Sequence, residues 1–264
     1  MLNASQTYRI LILAFMLAIS ANANANTSFT FDGPDAQGWS VLDYTNGRAF
    51  TGEIYAPGTT GVGNPAATDP TDAILADDPS ANEGARFGAP APFIGNAGSL
   101  VGGTLTFDLT VATNFDANEY TLSRALGLVL VERGVEALIY TGALPDDSWT
   151  TYSVNLGPNA GPFTVSPEPG LSGFSIPEVG LWAYVPDITA ALPSFSDPTL
   201  AQFNSIFGAV DRFTIVGEVL DGPTEILALD NVNLTVVPVP AALPLMLSAL
   251  FGVVAASRRR TSVT

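Results

Sequence analysis

The 264-residue chain predicts an all-β protein. The expected architecture is a two-sheet jelly-roll β-sandwich with one short helix, set between an N-terminal signal helix and a C-terminal transmembrane helix. Three observations lead there. Apolar and polar residues alternate over short runs along the middle of the chain. The 25 Gly and 20 Pro fall largely between those runs, where turns belong. Each end carries an uncharged apolar segment.

Composition narrows the chemistry. There is no Cys, no His and no Lys, and the formal charge is −16. Without Cys there are no disulfides, thiolate metal sites or thiol nucleophiles. Without His the commonest general base and transition-metal ligand are gone. Without Lys there is no Schiff-base or P-loop chemistry. The five Arg between residues 26 and 236 face all 25 acidic residues, a charge of −20 for that part. Such a body repels nucleic acid, so no nucleic-acid partner is expected. The profile is that of a binding or structural module, not an enzyme.

The strands are read in order. Ser28–Asp32 alternates, and Gly38–Thr45 mixes aromatic and β-branched residues. In Gly103–Ala112, Leu105, Phe107, Leu109 and Val111 alternate with Thr104, Thr106, Asp108 and Thr110, the pattern of a half-buried strand. Ala125–Val131 and Val135–Thr141 flank a hairpin turn at Glu132-Arg133-Gly134. Thr150–Leu156, Arg212–Val219 and Ile226–Val236 complete the set. The helix is expected over Ala201–Phe207, with Asp197 as N-cap and Pro198 at its first position. Ala56–Gly84 is Gly/Pro/Asp-rich, without periodicity, and is expected to be a long loop.

The ends read as addresses. Residues 1–25 have the form of a secretory signal peptide. Arg9 precedes the apolar run Ile10–Ile19, and Ala23-Asn24-Ala25 places cleavage between Ala25 and Asn26. Residues 237–264 begin Val237-Pro238-Val239-Pro240-Ala241. An uncharged run to Ala256 follows, about 24 Å as a helix, and then Arg258-Arg259-Arg260. That run nearly spans a bilayer, and the triple Arg holds its end in the cytoplasm. This tail resembles the PEP-CTERM sorting signals, in particular the VPLPA-CTERM kind, with Val239 in place of Leu. The resemblance implies a Gram-negative bacterium, processing by an exosortase, transient anchoring in the membrane and a final place at the cell surface or in an exopolysaccharide matrix or biofilm.

The middle, residues 26–236, is similar to the laminin B (laminin IV type A) domain. The residues that carry the likeness are Phe31-Asp32 with Gly38-Trp39, then Ala85-Arg86-Phe87-Gly88-Ala89-Pro90-Ala91-Pro92-Phe93-Ile94-Gly95-Asn96, then Trp149 to Leu156 and Trp182. Ile215-Val216-Gly217-Glu218 and Leu229-Asp230-Asn231-Val232 complete it. Ser99-Leu100-Val101-Gly102 and the stretch 157–180 depart from the family pattern. The resemblance implies a sandwich like that of carbohydrate-binding modules, with adhesive or matrix roles and no catalysis.

Four groups of side chains are candidates for chemistry. Asp32 and Asp230, on the first and last strands, are the candidate ligands of a structural Ca²⁺, which takes hard oxygens; the alternative is capping of nearby amides. Asp69, Asp72, Asp77, Asp78 and Glu83 form an acidic stretch that reads as a solvated loop. Trp182 and Tyr184, two apart on one strand face, are the candidate glycan-stacking platform. Trp39 and Trp149 are expected in the core, and Tyr140 is a further aromatic candidate. Asp146 with Asp147, and Glu132 with Glu136, are the nearest approaches to a glycosidase carboxylate pair. The expected partners are extracellular polysaccharide or surface proteins.

Overall fold

The structure, a computed structural model, describes residues 26–31, 36–45, 49–55, 73–77, 84–113, 127–143, 145–167, 175–190, 193–217 and 226–236. The signal segment through Ala25 and the whole sorting segment 237–264 lie outside the described residues, as do Asp32, Asp69, Asp72, Asp78 and Glu83. Among the described residues no helix is long and apolar enough to cross a membrane.

Fourteen strands are described: β1 Thr27–Phe29, β2 Ser40–Thr45, β3 Ala49–Tyr55, β4 Ile74–Asp77, β5 Gly84–Gly88, β6 Thr104–Thr113, β7 Val129–Arg133, β8 Glu136–Thr141, β9 Thr150–Asn155, β10 Val165–Pro167, β11 Ser175–Pro177, β12 Leu181–Val185, β13 Arg212–Val216 and β14 Ile226–Thr235. Among the described residues one α-helix, α1, spans Leu200–Phe207. A five-stranded antiparallel sheet runs β1-β14-β6-β9, with β4 also on β14. A seven-stranded antiparallel sheet runs β12-β8-β7-β13-β5-β2-β3, and β10 and β11 form a separate hairpin.

The period-2 pattern decides which side of each strand is buried. On β6, Leu105, Phe107 and Leu109 are fully buried, while Thr104 and Thr106 are half-exposed. Opposite them on β9, Tyr152 and Val154 turn inward and Thr151, Ser153 and Asn155 are exposed. β14 keeps its apolar face inward across a bulge. Leu227 and Leu229 lie inside before it, Val232 and Leu234 after it, and the register shifts between Asp230 and Asn233. Asn231, at φ 49°, supplies the left-handed residue that absorbs the extra position.

The β7, β8 and β12 part of the seven-stranded sheet is covered on both sides. The inner face of the whole sheet presents Val41, Phe87, Phe213, Ile215, Val129, Val131 and Trp182, as the strand registers require. Its other face presents Leu130, Ala137, Ile139 and Val185, buried against Ile188 and Phe195 from the segment after β12. A chain of ring contacts runs through the core, from Phe29 and Trp39 by Phe93, Phe213 and Phe207 to Phe203 and Trp182.

Three local expectations are corrected. Helix α1 is capped by Thr199, not Asp197. The Thr199 hydroxyl accepts from the Gln202 amide while the Gln202 side chain accepts from the Thr199 amide, a full capping box. Asp197 instead accepts a hydrogen bond from Asn159 Nδ2 at 2.9 Å. The hairpin turn lies at Gly134-Val135, since Arg133 pairs with Glu136, and Gly134 takes φ 59° there. The stretch 56–84 is not all loop: β4 forms within it and adds Ile74 and Ala76 to the core.

Candidate functional site

Trp182 lies on the edge strand β12, and its ring is 2% exposed. Tyr140 and Phe203 pack against it at 5.3 and 5.4 Å between centroids. Its indole N–H donates to the Asn155 carbonyl at 2.7 Å. A stacking platform needs an open ring face, so Trp182 belongs to the core and not to a glycan platform on β12. The pair does share a face, as the alternation requires, but that face is the inner one.

Tyr184 is half-buried, and its hydroxyl donates to Glu136 Oε1. That hydrogen bond to a carboxylate, with burial, pushes the phenol above its usual pKa. The outward edge of β12 is sealed. Asn159 accepts from the Trp182 amide through Oδ1 and donates to the Trp182 carbonyl through Nδ2, both at 2.8 Å. Ser196 pairs with Tyr184 one step further on. One side-chain amide thus does at Trp182 what a neighbouring strand would do.

The carboxylate pairs do not assemble. The register places Glu132 on the face of Ala137 and Val185, and Glu136 on the opposite face with Leu138 and Tyr184. Asp146 and Asp147 are exposed, and Asp146 Oδ1 accepts from the Ser148 amide in a turn. Glu132 is itself unusual: it is 3% exposed, and its Oε2 has no hydrogen-bond partner. Arg212 Nε lies 3.9 Å from it. Burial pushes the Glu132 carboxyl above its ordinary range, against the pull of Arg212 and Arg86. Arg86 is buried too, with Nε donating to Thr214 Oγ1 at 2.8 Å and Nη2 to the Gly127 carbonyl at 3.2 Å. Composition counted these charges, but only the fold shows that they are buried.

Asp230 is fully buried at the bulge, and its Oδ1 accepts from the Asn231 amide at 2.7 Å. It stands in register with Asp108, 5% exposed. Both Asp108 oxygens are engaged, one by Thr151 Oγ1 at 2.6 Å and the other by Asn231 Nδ2 at 2.9 Å. Among the described residues no group of three or more acidic side chains gathers for a metal. Asp230 and Asp108 are both held by neutral donors. Asp32 lies outside the described residues.

The outer side of the five-stranded sheet is the surface that sequence reasoning passed over. Between Asp108 and Thr104 on β6, with the facing parts of β9 and β14, its side chains are Thr, Ser and Asn, half-exposed or exposed. Asp108 and Asp230, which faces it in register, are the charged groups among the described residues of this half, and both are buried. The side chains are cross-linked: Ser28 Oγ donates to Asn233 Oδ1 at 2.6 Å, Asn233 Nδ2 to the Asn231 carbonyl at 2.8 Å, and Thr104 Oγ1 to Asn155 Oδ1 at 3.3 Å. Trp149, expected in the core, is half-buried immediately before β9, two residues from Thr151. The Thr/Ser/Asn alternation that makes this face was visible in the sequence, but nothing there said which half would stay uncovered.

No family model and no curated protein sequence matches the chain. Among solved structures it is similar to the L4b domain of human laminin alpha-2, at 13% identity and a TM-score of 0.48, over 80% of this chain and 97% of that one. It is also similar to the family 11 carbohydrate-binding module of the cellulosomal cellulase Lic26A-Cel5E of Clostridium thermocellum, at 12% identity and a TM-score of 0.38, over 82% of this chain and 97% of that one.

Proposed function

We propose that this is an exported bacterial surface or extracellular-matrix protein whose β-sandwich, wound as a jelly roll of the laminin B kind, binds glycans or surface proteins and catalyses no reaction. The observation that carries the binding reading is the hydrogen-bond-rich outer face between Thr104 and Thr106 of β6, on β9 and at Asn233, half-exposed or exposed among the described residues, beside the β7, β8 and β12 part of the second sheet, which is covered on both sides. Export and sorting rest on sequence. Residues 1–25 supply the signal, and 237–264 supply the exosortase motif, the membrane helix and Arg258-Arg259-Arg260. Localisation at the surface or matrix of a Gram-negative bacterium follows from that pair of segments.

The test is a depletion assay. The full chain in mild detergent is mixed with increasing amounts of extracellular matrix isolated from a biofilm-forming Gram-negative bacterium. Saturable uptake supports binding. Uptake that grows without saturation favours a purely structural exopolysaccharide component with no specific ligand. New reducing ends in the matrix would indicate a glycan-active enzyme.

A structural Ca²⁺ held by Asp32 together with Asp230 is the cofactor part of the proposal. When bound it would neutralise a carboxylate that the fold buries completely.

A further inference from the structure

We propose that the outer face of β6 and β9, together with Asn233 of β14, binds an uncharged polysaccharide chain. This rests on the binding reading above and narrows it to one class of ligand and one face. The argument begins with charge. The part of the chain that carries this face has five Arg against 25 acidic residues, so an anionic polymer is repelled before it makes contact. A cationic partner would gain most where carboxylates are exposed. On this half of the face the charged side chains among the described residues are Asp108 and its register partner Asp230, both buried, Asp108 bonded to Thr151 and Asn231 and Asp230 to the Asn231 amide. A neutral ligand is the one that neither fact penalises.

The groups presented suit that ligand. Thr104, Thr106, Thr151, Ser153, Asn155 and Asn233 offer hydroxyls and amides, each both donor and acceptor, as sugar hydroxyls are. They stand in a regular lattice because the strands do, about 4.8 Å apart across the sheet, on the order of one pyranose ring. The cross-links Thr104–Asn155 and Ser28–Asn233 hold several of these groups in place before anything binds, which lowers the ordering cost of association. Trp149, half-buried two residues from Thr151, adds an aromatic surface at one end of the array.

Affinity electrophoresis of the full chain tests this, with dextran, hydroxyethylcellulose and galactomannan as neutral probes and alginate as the anionic one. At least one neutral probe is expected to retard the chain, and alginate is not. Ser153→Asp places a charge in the centre of the array and is expected to weaken retardation at least about tenfold. Ser153→Ala is expected to weaken it by a few-fold, and Glu136→Gln, away from the face, to leave it unchanged. Thermal midpoints are measured for every variant, and a Ser153 variant that unfolds is replaced by Thr106→Ala. The proposal is overturned if no neutral probe retards the chain, if alginate retards it as strongly, or if Ser153→Asp is retarded like the parent. If the chain still takes up matrix saturably in any of those cases, the binding reading stands and only this face and ligand class fall.

Discussion

The indole N–H of Trp182, on the edge strand of one sheet, donates to the carbonyl of Asn155, on the edge strand of the other, at 2.7 Å. The contact joins the two sheets of the sandwich along one seam. It also explains why a residue two positions from Tyr184 serves packing and not ligand binding: its polar atom is bonded, and its buried ring packs against Tyr140 and Phe203. Trp182→Phe should retain most of the apolar burial and remove one hydrogen bond to the Asn155 carbonyl, which keeps its bond from the Gly157 amide, at about 0.5–1.5 kcal/mol. Trp182→Ala should lose about 3–5 kcal/mol by opening a cavity against Tyr140 and Phe203. Urea denaturation of the three proteins checks both the order and the sizes.

Asn159 seals the outward edge of β12 by pairing with both the amide and the carbonyl of Trp182. Asn159→Ala should expose those groups, lower stability by about 1–3 kcal/mol and promote edge-to-edge association. Light scattering at rising concentration should show larger species for the variant. Equal scattering from both proteins would mean that the Ser196 pairing alone protects the edge.

Glu132 gives a pH dependence of definite sign. Burial raises its pKa above the ordinary 4.5, so the folded chain holds this proton more tightly than the unfolded chain. The resulting contribution is fully present below the unfolded value and is lost as pH rises through the folded one. Glu132→Gln, which cannot ionise, should therefore be stabilised relative to the parent, and the gap should widen as pH rises from about 4.5 toward neutrality. Melting curves of the two proteins across that window would show it; a gap that narrows with rising pH would reverse the assignment.

Calcium at Asp230 predicts a rise in thermal midpoint on adding CaCl₂ to chelator-treated protein, and loss of that rise in Asp230→Asn. If the two proteins respond alike, Asp230 acts through hydrogen bonding such as that to the Asn231 amide and not through a metal.

Strand positions were legible where alternation was strong. β6 follows the expected range within a residue at each end, because Leu105, Phe107, Leu109 and Val111 leave a strand only one way to bury them. β4 was not legible: four residues amid Gly, Pro and Asp carry too short a period, and its pairing with β14 is fixed by tertiary contact. The helix cap was misplaced although the sequence carried the right signal. Thr199 and Gln202 have capping-box spacing, and Asp197-Pro198 merely looked stronger. The site was less legible than the fold. Period-2 reasoning put Trp182 and Tyr184 on one face but could not say that this was the inner face. It paired Glu132 with Glu136, whereas their four-residue spacing spans a two-residue turn and sends them to opposite sides of the sheet. Burial of Arg86, Glu132 and Asp230 depends on what covers each face, which alternation alone does not specify.

Amide chemical-shift mapping with and without the neutral polysaccharide that retards the chain most strongly tests the central claim directly. The account predicts shifts concentrated on β6, β9 and the Asn231–Thr235 end of β14, with Trp149 among them and β12 unchanged. Shifts concentrated on β8 and β12 around Tyr184 and Glu136, with β6 and β9 silent, would contradict it.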